Sequence, residues 1–178
     1  MGGVVKYSVA LACLASSLAY GQSLSISFMG FELGTQQALV MEEVRRRFTV
    51  VPLSSDPNGF FLADAPMPNG RFVGALGFKD GKLNYIERTW GLFGSTTDSI
   101  KVVDTLSAAL ESAAKNSGSK QAIQNVSRQR TPQVEWTTTS WAYPKGWTVT
   151  MTVQNNLPDP TDRTIEIKEG VLGEKVSR

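Results

Sequence analysis

Asp80-Gly81 stands between Phe78-Lys79 and Lys82-Leu83. A two-residue Asp-Gly connection between strand-forming residues is the shortest turn that folds a chain back on itself. It commits residues 71–90 to an antiparallel hairpin. Pairing outward from the turn sets 78 against 83, 76 against 85 and 72 against 89. Alternate residues of a strand share a face, so this register predicts one apolar face of Phe72, Leu76, Phe78, Leu83 and Tyr85. Val73, Ala75, Gly77, Asn84, Ile86 and Arg88 fall on the other, which is small or mixed. One strongly apolar face suits a sheet with helices on that side.

Two segments have helical spacing. In 35–48, Gln37, Val40, Met41, Val44 and Phe48 recur at helical intervals behind a Gly34-Thr35 cap. Arg45-Arg46-Arg47 resembles a basic patch. However, Glu42 and Glu43 precede Arg46 and Arg47 by four residues, the favoured ion-pair orientation, so these residues read as a solvated helix end. In 98–116, Ile100, Val103, Leu106, Leu110 and Ala113 repeat every three or four residues. Thr97 is the cap, Asp98 suits the positive helix start, and Gly118 is a left-handed terminator.

Residues 49–70 read as turn-rich, with a short strand at Phe60-Phe61-Leu62. A second hairpin runs from Val134 to Gln154 around Pro144-Lys145-Gly146, and in it Trp147, Val149, Met151 and Val153 alternate with Thr148, Thr150, Thr152 and Gln154. Thr164 to Ile167 reads as a last strand and Lys168 onward as a tail. The predicted fold is α+β: an open antiparallel sheet with two helices on one face, in two αβ half-repeats at 31–93 and 94–171.

Lys6 is the only charge before Glu32, Val9 to Leu18 is apolar or small, and small residues sit two apart at Ala19 and Gly21. These are the parts of a secretory signal peptide over 1–21. Cleavage after Gly21 leaves a secreted or periplasmic domain, 22–178, with no stable membrane insertion. Retention as an anchor is the competing reading. The one cysteine, Cys13, lies in the apolar core of the signal, so the mature chain has none. Loss of Lys6 takes the formal net charge from +2 to +1, which gives no footprint for nucleic acid. The chain has no histidine. Ser-His-Asp and Cys-His catalysis and His-ligated metals are therefore excluded, and no cofactor is expected.

Gly34-Thr35 leading into a helix with Val44, followed by Phe78-Lys79-Asp80-Gly81-Lys82-Leu83, resembles BamE/SmpA-like and β-lactamase-inhibitor-like secreted modules over residues 31–90. The lipobox expected of the BamE lipoproteins is missing. The resemblance implies a non-catalytic role in the cell envelope, docked to another protein.

Trp136 and Trp141 differ by five, so a regular strand puts them on opposite faces. Trp141 and Tyr143 share a face beside the Pro144 turn. With Trp136 they are the candidate binding residues, for a protein or cell-envelope component. Glu87, Glu135 and Glu166 lie on predicted strands, and a pair of them would support the alternative function, a carboxylate-dependent glycan hydrolase. Ser117-Gly118-Ser119-Lys120 has the spelling of a serine–lysine nucleophile, but it ends a helix where that chemistry needs a helix start. Asp159 to Asp162 lacks calcium-loop spacing. Asn125-Val126-Ser127 is a glycosylation sequon, usable only in a eukaryotic secretory host.

Overall fold

The Asp80-Gly81 turn forms as its residues dictate. In the computed structural model, which describes residues 25–26, 30–159 and 161–173, both residues take positive φ, 52° and 71°. The signal segment lies outside the described residues. In chain order, a short pair β1 (Ser25–Ile26) and β2 (Phe31–Glu32) is followed by α1 (Gln37–Arg47), β3 (Thr49–Leu53), β4 (Asp56–Ala63), β5 (Phe72–Lys79) and β6 (Lys82–Phe93). Then come α2 (Ser99–Ser117), β7 (Ile123–Arg130), β8 (Val134–Ala142), β9 (Trp147–Asn156) and β10 (Arg163–Leu172). Strands β3 to β10 form one eight-stranded sheet in the order β3-β4-β5-β6-β10-β9-β8-β7, and every neighbouring pair is antiparallel. Each half is thus a helix and four strands. The fourth strands meet at the centre and the first strands form the two edges.

Both helices pack on one face. Ile167, Glu169 and Val171 alternate along β10 and so point the same way. Val171 joins the core under α1 with Val40, Met41, Val44, Leu76 and Trp147. Ile167 joins the core under α2, where Ala109 and Ala113 meet Phe93 and Val149. Small residues on α2 let it lie close to the sheet. The opposite sheet face carries no helix among the described residues.

The register differs from the expected one. Phe78 does oppose Leu83, but Tyr85 opposes Gly77 and Ile86 opposes Leu76, which leaves Asn84 as a bulge. A second bulge at Val73 sets Phe72 opposite Ala63. Each extra residue reverses the side-chain alternation. Leu76, Phe78, Leu83 and Ile86 are therefore buried under α1, while Phe72 and Tyr85 turn to the uncovered face. A tertiary strap runs beside the Asn84 bulge. Residues 34–37 lie along the start of β6, through Gly34 N–H to Leu83 O, Leu83 N–H to Thr35 O and Gln37 N–H to Gly81 O. That strap also corrects the α1 cap: Gln36 precedes the helix without a side-chain cap, and Thr35 Oγ1 donates to Glu32 O at 2.7 Å. The Glu42–Arg46 and Glu43–Arg47 pairs form as expected.

On α2, the cap is Asp98 and not Thr97. Its carboxylate accepts from Ile100 N–H at 2.9 Å, and Gly118 ends the helix at φ 74°. In the eight-stranded sheet two strands, β3 and β7, have no counterpart in the expected order, and β10 runs to Leu172, through what reads as a tail. At the second hairpin, Tyr143 N–H donates to Trp147 O. Gly146 takes φ 75°, and a Cβ there would lie 2.1 Å from Leu172 O, so this position requires glycine.

Candidate functional site

One buried acid ties α2 to the sheet by hydrogen bonds, beside the apolar packing of that helix. Glu169 on β10 is fully buried, and its neighbours satisfy it from two other elements, β6 and α2. Arg88 on β6 donates to Oε2 from Nε at 2.8 Å and from Nη2 at 2.6 Å. Trp90 Nε1 donates to the same oxygen at 2.9 Å. On α2, Ser112 Oγ donates to Oε1 at 2.9 Å and itself accepts from Arg88 at 2.8 Å. The Arg88 guanidinium lies 3.9 Å from the centre of the Trp90 ring. A charge without water survives only when paired and hydrogen-bonded, and this network meets both conditions. It joins β6 of the first half to β10 and α2 of the second.

Tyr143 lies past this network, at the end of the second hairpin. Its ring packs against both cores and its hydroxyl donates to Leu110 O at 3.4 Å. Burial, and then the Glu169 charge, push its hydroxyl above the ordinary tyrosine range. Two cavities of about 640 Å³ adjoin at this residue. One is walled by Leu110, Ala114, Lys115 and Lys120, with Glu111 also on its wall. The other is walled by Ala122, Ile123, Ala142 and Pro144. Ser119 and Tyr143 belong to both. Together they make a mostly apolar groove between the end of α2, the start of β7 and the hairpin turn.

Of the residues singled out from sequence, Tyr143 lines this groove. Trp141 is half-buried and packs into the core under α2. Trp136 is on the opposite, uncovered face, opposite Gln154, with Nε1 donating to Gln154 Oε1 at 3.0 Å. The spacing of five correctly separates the two tryptophans, and the structure brings together only Trp141 and Tyr143. The groove residues from α2 and the 118–122 linker carry no binding motif; the serine–lysine spelling at Ser117 to Lys120 falls at the end of α2, where Gly118 stops the helix. One sequence signal does mark them: no carboxylate occurs between Glu111 and Glu135, a run that holds Lys115, Lys120, Arg128 and Arg130.

On the uncovered face, Glu87 and Glu166 flank Lys168, 3.4 and 3.2 Å from its Nζ. Tyr85 donates its hydroxyl proton to Glu87 at 2.5 Å. Glu135 is on β8, opposite Arg130 and Asn155 on its neighbouring strands, and is not part of this cluster. Burial pulls the Lys168 pKa down, but Glu87 and Glu166 outweigh it and hold the ammonium above its usual range. Burial, reinforced by Glu87, pushes the Tyr85 hydroxyl upward as well. Both groups are therefore protonated in the fold more strongly than in the unfolded chain. Their contribution to stability is complete below about pH 10 and is lost as pH rises through the folded values. Urea titrations are expected to give constant stability from about pH 8 to 9 and a decline above about pH 10, shallower in Tyr85→Phe. An equal slope in that variant would remove Tyr85 from the account.

Asp159 closes a plain turn, accepting from Thr161 N–H and Oγ1. Among the described residues, no group of three or more His, Cys, Asp or Glu is placed to hold a metal ion. No described helix is long and apolar enough to cross a membrane. No protein-family model, curated protein or solved structure matches the chain.

Proposed function

We propose that this is a secreted or periplasmic, non-enzymatic protein that binds a protein or cell-envelope component through the groove at Tyr143. The observation that carries this reading is the meeting of the two cavities at Tyr143, at the end of the second hairpin. Mostly apolar concave surface with a few polar groups is the usual form of a binding site. The signal-like start and the resemblance of residues 31–90 to envelope modules support the location. The alternative, glycan hydrolysis by two acids, has less support. Glu87 and Glu166 share a face, but a lysine lies between them, whereas that chemistry needs one acid kept protonated.

The test is site-specific photocrosslinking. A benzophenone side chain at Ile123, which lines the groove and is 77% exposed, is compared with one at Val103, which is 60% exposed on α2 and lines neither cavity. Irradiation in an envelope extract of the source cells is expected to give discrete adducts at position 123 and none at 103. Equal labelling at both positions, or none at either, would reject the groove as the docking site.

A further inference from the structure

The groove opens at the start of β7, and β7 has its own unmet requirement. All eight of its residues are exposed. It pairs with β8 along one side, while the other side is an edge of the sheet. Half of its backbone N–H and C=O groups therefore face solvent, a row that an extended chain can satisfy. The opposite edge, β3, is the corresponding first strand of the other half, and it is blunted. It has five residues, including Pro52, which cannot donate, and its register breaks beside that proline. β7 has no proline and no register break.

Charge selects the occupant. The chain from Ser112 to Val134 contains four cations and no acid. Lys120, Arg128 and Arg130 make no ion pair among the described residues. A second copy of β7 on this edge would place two such cationic strips along one seam. A strand carrying carboxylates would instead neutralise it. Ile123, at the groove end, is 77% exposed, and Val126 is 51% exposed, so side chains of an added strand have apolar neighbours too.

We propose that β7 accepts an extended acidic segment of a partner protein as a ninth, antiparallel strand, with one apolar side chain of that segment seated in the Tyr143 groove. The inference rests on the groove reading above and names the partner's chemistry. Backbone pairing supplies the shape requirement, the four cations the sign of the charge, and the groove a position along the strand. In the antiparallel direction the C-terminal end of the segment lies at Ile123.

The probe is a fluorescein-labelled peptide of about ten residues, long enough to cover β7. It alternates Glu with Thr or Val and carries one Leu near its C-terminus. Anisotropy with the intact chain is expected to show saturable binding, weakened roughly tenfold or more when alternate peptide amides are N-methylated or when Lys replaces Glu, and weakened by salt. Amide shifts are expected to concentrate at 123–130. These arms change only the peptide, so none depends on a variant folding. Equal binding of the N-methylated or the lysine peptide would overturn the proposal, as would no binding at about 1 mM. Light scattering that shows a dimer, dissociated by Val126→Pro, would assign the edge to a second copy and overturn it as well. Adducts at position 123 in envelope extract without peptide binding would sink the acidic strand and leave the groove standing.

Discussion

Arg88→Ala is expected to destabilise the protein by about 3–5 kcal/mol, because it leaves a buried carboxylate without its counter-charge. Glu169 is fully buried and Arg88 is 14% exposed at its side chain. Ser112, Trp90 and Asn116 hydrogen-bond the acid but bring no charge. Replacing both partners, as Arg88→Met with Glu169→Leu, is expected to recover much of the loss, since two apolar groups need no pairing. Urea unfolding of the single and double variants checks both statements. A loss below about 1 kcal/mol in the single variant would mean that water reaches Glu169. The groove should respond too, because Leu110 and Ala114 lie on the helix that this network anchors.

The second large effect separates two phenylalanines of one strand. Phe78→Ala is expected to cost about 3–5 kcal/mol, the usual range for emptying a buried aromatic site. Phe78 is buried in the core under α1 and meets Phe60 edge-on, with ring centres 5.9 Å apart. Phe72 is 43% exposed and rests on Phe61 across the uncovered face. Phe72→Ala should cost less than about 1.5 kcal/mol. Equal losses would mean that the Val73 bulge is absent and that both rings face the helices.

That contrast shows what can be read from a linear sequence. Asp80-Gly81 is legible because a tight turn is a local event. Gly118 as a helix stop and the alternation from Trp147 to Gln154 are local in the same sense. The bulge at Asn84 is not: it lies beside a strap formed by residues 34–37, far away in sequence. Nor is β7 legible: Ile-Gln-Asn-Val-Ser-Arg-Gln-Arg has no apolar alternation, since an edge strand exposed on both faces needs none. Glu169 reads as tail because Lys168-Glu169-Gly170 looks like a solvated end. Only the arrival of Arg88, 81 residues earlier, makes a glutamate tolerable there. Tyr143 could be singled out beside its turn, but the walls of its groove come from a helix end and a linker that share no spacing with it.

The meeting of β6 and β10 in the middle of the sheet has a consequence for biogenesis. During synthesis β6 emerges long before β10, the last of the eight strands in chain order. Until β10 follows, the first half displays a long naked flank that ends in Trp90 and Phe93, and the contacts that cover it close a loop of some eighty residues. Distant pairings of this kind form slowly and leave nascent chains open to association with one another. The interval between those two strands is when this polypeptide most needs a chaperone.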